Sequence, residues 1–201
     1  MKTVFEWEQD SCWVVVRSNE LGADPKLLED IARASFPASR FRPHPPEEPQ
    51  GAIAWAESRR CLLEALRLSG RPSTDLFASL SHSRLASAAC VSPRSGPVLG
   101  IGIDLEDVRR EISSAARERF QLSEFESASL SPLELWCLKE ACFKSDPRNE
   151  GSLISRYELL SFDGSTGRGL VRRIDDSGMD FRVRLTTCQD HLLAIATCLQ
   201  S

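Results

Sequence analysis

At 201 residues the chain fits one domain above the common size, or two small halves sharing a core, and it is long enough to bury that core. Its 41% apolar and 27% charged composition is ordinary for a soluble globular protein, and a formal charge of -4 supplies no basic field for nucleic acid. No apolar run approaches the roughly 20 residues of a membrane span, and the acidic start "MKTVFEWEQD" does not resemble a secretory signal, so a cytoplasmic protein is expected.

In chain order, "CWVVVRS" at 12 to 18 reads as a strand. A helix is expected over "DPKLLEDIARASF", with Asp24 as N-cap and Pro25 at the first helical position. "RPHPPEEPQG", residues 42 to 51, holds four prolines and reads as an extended loop. In "AIAWAESRRCLLEALRLSG", Ala54, Leu62, Leu63 and Leu66 recur at helical spacing and Gly70 supplies the stop. Strands are expected at about 77 to 81, 85 to 91 and 97 to 106, and helices near 113 to 129 and 132 to 145. The last fifty residues, "YELLSFDG", "GRGLVRRI", "DFRVRLTT" and "HLLAIATCL", are short runs divided by turn residues, as in an antiparallel meander. Seven cysteines without a C-x-x-C pair read as small reduced core residues rather than disulfides or zinc ligands. "RLASAACV" at 84 to 91 and "LLAIATCL" at 192 to 199 share Leu, Ala, Ala and Cys at an offset of 108 residues, which suggests a duplicated α+β unit.

Three stretches carry side chains suited to chemistry. In "GPVLGIGIDLEDV", strand alternation puts Leu99, Ile101, Ile103 and Leu105 on one face and Gly100, Gly102, Asp104 and Glu106 on the other. That second face reads as open and anionic, with glycines where something approaches the backbone. Two carboxylates about 7 Å apart along a strand are well suited to a shared hard divalent cation; the plainer alternative is a solvated strand exit running from Asp104 to Arg110. In "LELWCLKEACFKS", with Ser131 and Pro132 as N-cap and N1, Glu140 and Lys144 share a helix face at i and i+4, with Lys139 beside them. They form either an exposed ion pair or the lining of a cleft. In "SLSHSRLASAACV", Ser81, His82 and Ser83 offer a cluster of hydrogen-bond donors suited to a phosphate.

The ordered motifs S-H-S, G-I-D-x-E and W-x-x-K-E-A-x-x-K resemble those of the 4'-phosphopantetheinyl transferases, specifically the large pseudo-duplicated type that activates siderophore, peptide and polyketide synthases. The match covers Ser81 to Lys144. The resemblance implies two similar α+β halves in one chain, antiparallel sheets with packed helices: residues 1 to 96 on the coenzyme A phosphate and adenine side, and 97 to 201 on the metal and catalytic side. It implies transfer of the phosphopantetheine arm of coenzyme A to a serine of an apo acyl or peptidyl carrier protein, releasing adenosine 3',5'-bisphosphate. Asp104, Glu106 and Glu140 would hold Mg²⁺. Glu140, directly or through a water, would be the base, and Lys144 would meet the phosphate charge. Arg42, Arg60, Ser81, His82, Lys139 and Lys144 would bind coenzyme A, with Arg40, Arg59 and Arg71 competing with the first two, and Arg117 and Arg119 could meet an acidic carrier. A monomer without nucleic-acid or membrane partners is implied. The alternative is a non-catalytic module on the same fold that binds coenzyme A or a carrier.

Overall fold

The computed structural model describes residues 2–7, 12–19, 48–120, 123–149, 153–175 and 179–200 of an α+β chain with antiparallel sheets. The chain divides into two compact units, Met1–Arg94 and Ser95–Ser201. The helix expected at 24 to 36 and most of the proline-rich loop lie outside the described residues.

In the first unit, strands β1 (Lys2–Trp7), β2 (Cys12–Ser18), β3 (Leu76–His82) and β4 (Ala86–Pro93) form a sheet ordered β1-β2-β4-β3. Helix α1 (Pro49–Ser69) starts two residues before the expected end of the loop. Pro49 itself opens it, because the first helical turn needs no amide hydrogen from proline. Gly70, at φ 62°, ends it, donating its N–H to the Arg67 carbonyl. Cys61, Leu62 and Ala65 of α1 pack on Val15, Leu76, Ala89 and Val91 of the sheet.

In the second unit, β5 (Val98–Asp107) is followed by α2 (Ser114–Phe120), α3 (Glu124–Ser129) and α4 (Pro132–Ser145), then by β6 (Tyr157–Asp163), β7 (Arg168–Arg173), β8 (Met179–Cys188) and β9 (His191–Gln200). The sheet order is β5-β9-β8-β7-β6. The single helix expected at 113 to 129 is two short ones, the second restarted by Ser123, whose hydroxyl accepts the Glu126 N–H. α4 opens with a capping box: Ser131 donates its N–H to Glu134 at 2.8 Å and its hydroxyl accepts the Glu134 N–H. Its Leu135, Leu138, Ala141 and Cys142 join Leu192, Ala194, Ala196 and Cys198 of β9 and Phe181, Val183 and Leu185 of β8 in the core.

The two units share a connection. In each, a strand leads through helix to antiparallel strands whose last member inserts beside the first. Helix α1 leads to the hairpin β3–β4, with β4 between β2 and β3, and α2, α3 and α4 lead to the four-stranded meander β6–β9, with β9 between β5 and β8. The eight-residue echo does not map one onto the other, however. Its matched residues are Ala194, Ala196 and Cys198, which face α4, and Ala86, Ala88 and Cys90, which alternate with the α1-facing Ala89 and Val91. A one-residue slip in a strand exchanges its faces, so an offset of 108 pairs opposite sides of the two sheets.

Candidate functional site

The glycines of β5 are the reason the acidic cluster exists. A Cβ on Gly100 would stand 2.1 Å from the Ser145 carbonyl oxygen, and one on Gly102 would stand 1.9 Å from that of Ala141. The backbone approaching this face is therefore that of α4, and the face is covered rather than open: Asp104 is 4% and Glu106 9% exposed. Close packing of strand on helix lays the second turn-pair of α4 against the strand's carboxylates.

Each carboxylate there holds an internal cation. Lys144 Nζ meets Asp104 Oδ1 at 2.6 Å, so its strong ion pair is with the strand and not only a matter of the i, i+4 helix face. Glu106 Oε1 accepts from the Trp136 indole at 3.1 Å and from Arg110 Nη1. The Trp136 ring packs edge-on against Phe120 at 5.4 Å, and the Arg110 guanidinium lies over it at 5.3 Å. Half-buried Glu140 is coupled to all of these. Burial raises its pKa above the ordinary carboxylate value, the charges of Asp104 and Glu106 push the same way, and Lys144 and Arg110 pull it back. Among the described residues, no group of three or more His, Cys, Asp or Glu side chains converges closely enough to hold a metal ion. The site is thus three coupled carboxylates with two basic side chains in their midst, an arrangement able to exchange internal cations for an external one or to meet phosphate oxygens with Lys144 and Arg110.

Cys137, one turn before Glu140 on α4, sits beside this cluster. Burial, then the Asp104 and Glu106 charges, drives its thiol well above the ordinary cysteine value, which leaves it a space-filling neighbour rather than a nucleophile.

Lys139 does not join the cluster, contrary to the expectation that it would bind coenzyme A. Its side chain is fully buried, pairs with Glu126 Oε1 at 2.8 Å and donates to the Phe120 carbonyl at 2.5 Å. The same Glu126 oxygen accepts the Leu159 N–H at 3.0 Å. One residue along a helix turns a side chain by about 100°, so the neighbour of Glu140 ties α2, α3 and β6 together instead of facing ligand. Arg117 and Arg119 lie on α2, half-buried and exposed respectively.

No family model and no curated protein matches the chain.

The first unit holds the remaining expected residues. Ser81 and His82 are successive in β3, so their side chains take opposite faces: His82 is level with Ser87, on the α1 side, and exposed, while Ser81 is level with Ala88 and 5% exposed. Ser83 serves the β3-to-β4 turn, accepting the Leu85 and Ala86 N–H groups. The three hydroxyl and imidazole groups therefore do not form the single donor cluster that the sequence suggested. Arg60 meets Glu57 at 3.5 Å and is partly exposed. Arg59 is buried over the Trp55 ring at 4.0 Å, where burial lowers its pKa to about 10. Arg71 is exposed, and Arg40 and Arg42 lie outside the described residues.

Arg110 is a site residue that motif reading passed over, and Trp136, which opens the W-x-x-K-E-A stretch, was given no hydrogen-bonding role. Arg110 had been placed in a solvated strand exit, yet it is four residues beyond Glu106 and returns to it through a turn in which its N–H donates to the Asp107 carbonyl at 2.9 Å. Opposite charge at that spacing just past a strand was the available signal.

Proposed function

We propose that the chain is a Mg²⁺-dependent 4'-phosphopantetheinyl transferase of the pseudo-duplicated type, moving the phosphopantetheine arm of coenzyme A to a carrier-protein serine. The observation that carries this reading is the packing of α4 on the glycine face of β5, which puts Glu140 and Lys144 of the W-x-x-K-E-A-x-x-K stretch beside Asp104 and Glu106 of the G-I-D-x-E stretch. Two motifs thirty-odd residues apart in sequence become one electrostatically coupled site. In both units the last strand of an antiparallel run returns beside the strand that preceded the helices, which supports the duplicated form of the fold.

The donor types suit the metal, although the three carboxylates do not converge on one point. Three hard oxygen donors, two of them nearly buried, match the preference of Mg²⁺ for carboxylates completed by phosphate oxygens. Asp104, Glu106 and Glu140 would hold it, and when bound it supplies charge neutralisation for a pyrophosphate. The chain's own residues do the rest. Glu140, made more basic than a solvated carboxylate by burial and by its acidic neighbours, takes the proton of the incoming serine hydroxyl. Lys144, flexible and half-buried, supplies a cation for the charge that develops on the phosphate as the serine oxygen attacks phosphorus and adenosine 3',5'-bisphosphate leaves.

A second reading, a non-catalytic module binding coenzyme A or a carrier, draws on the engagement of both strand carboxylates by Lys144 and Arg110. Glu140→Gln separates the two. Under the transferase reading, turnover of apo carrier falls by at least about a hundredfold while coenzyme A still stabilises the protein against heat. Transfer at the unaltered rate by the folded variant would remove Glu140 from the chemistry, and absence of transfer by the wild-type chain with every carrier, alongside coenzyme A binding, would leave the binding module.

A further inference from the structure

We infer that Arg110 is a built-in counter-cation that competes with the divalent ion for Glu106, so that ion binding requires its release; this rests on the metal reading proposed above. Two arginines follow β5, and they fold in different directions. Arg109 turns back onto Asp107, donating through Nε and Nη2 at 2.9 and 2.8 Å. Arg110 crosses to Glu106 and lies over the Trp136 ring, whose indole N–H donates to the same Glu106 oxygen. One oxygen thus carries a fixed neutral donor and a charged one. The fixed donor is held from behind by Phe120, whereas the Arg110 side chain is 43% exposed against 12% for Glu106. The carboxylate stays and the guanidinium can leave: Arg110 itself lines a groove together with Val108, Glu111, Ile112, Pro132, Leu133 and Glu134.

The consequence is a reduced apparent ion affinity, because only the fraction of molecules with Arg110 withdrawn presents Glu106 as a ligand. Arg110 neutralises Glu106 until a stronger cation arrives, sparing the protein an uncompensated buried charge.

The test is a Mn²⁺ titration of the full-length chain, with free ion read by electron paramagnetic resonance, on wild type, Arg110→Gln and Arg109→Gln. Arg110→Gln is expected to bind Mn²⁺ about three- to tenfold more tightly, the range of a partly buried charged hydrogen bond removed from the competition. Arg109→Gln, which removes the same charge one residue away, is expected to stay within about twofold of wild type. Equal or weaker binding by Arg110→Gln, or equal tightening by both variants, would overturn the inference while leaving the metal reading intact. Absence of saturable Mn²⁺ binding by all three would overturn the metal reading and this inference with it.

Discussion

Glu140 and Lys139 are adjacent in sequence and opposite in physical role. Burial and acidic neighbours hold the Glu140 pKa above its unfolded value, so the folded state keeps this proton more tightly than the unfolded state does. Its contribution to stability is therefore complete below the unfolded carboxylate range and is lost as pH rises through the folded pKa. Glu140→Gln, neutral at every pH, is expected to melt higher than wild type at pH 7, with the difference vanishing near pH 3.5. A variant that melts lower at pH 7 would show that Lys144 outweighs burial at this position. Burial lowers the Lys139 pKa, and Glu126 pulls it back in a site closed to water. Lys139→Met should cost about 3–5 kcal/mol in urea unfolding by stranding the carboxylate, and adding Glu126→Gln should restore most of it. A loss under about 1 kcal/mol for the single variant would mean that the pair is not buried as described.

Between elements, the decisive contact is α4 on β5, and it depends on two missing side chains. Gly102→Val would drive a branched side chain into the Ala141 carbonyl. It is expected to lower stability by about 1–3 kcal/mol or more, as overpacking does, and to lower transfer activity more than that loss explains by moving Glu140 and Lys144 off the strand. Unchanged melting and activity would refute this packing argument. Much at this scale was legible beforehand: strand alternation in "GPVLGIGIDLEDV" gave the carboxylate face, and helix periodicity gave Glu140 and Lys144 one side of α4. What alternation could not show was that a helix, rather than solvent or ligand, covers the glycines. Nor could it show that Lys139 turns to a buried acid contributed by α3, since that pairing depends on tertiary placement and not on spacing. The strand Lys2–Trp7 was missed, although Thr3, Val4, Phe5 and Trp7 are strand-favouring residues and it pairs antiparallel with the next strand, Trp7 opposite Cys12.

Over the whole chain, the second unit brings the motifs on β5 and α4 together, while the first unit carries an exposed His82 and a partly exposed Arg60. No helix among the described residues is long and apolar enough to cross a membrane. All seven cysteines are buried, and burial carries the Cys61 pKa to about 12. Both units run from a strand through helix to antiparallel strands that return to it, and the octapeptide match does not follow that order, because face parity is fixed by helix packing and small apolar residues suit either face. The measurement that tests the central claim most directly is the intact mass of a panel of apo acyl and peptidyl carrier proteins after incubation with this chain, coenzyme A and Mg²⁺. The account predicts that at least one carrier gains one phosphopantetheine per molecule, with none gained when Mg²⁺ is chelated. Folded protein that leaves every carrier at its apo mass, or that loads a carrier equally well without any divalent ion, would contradict it.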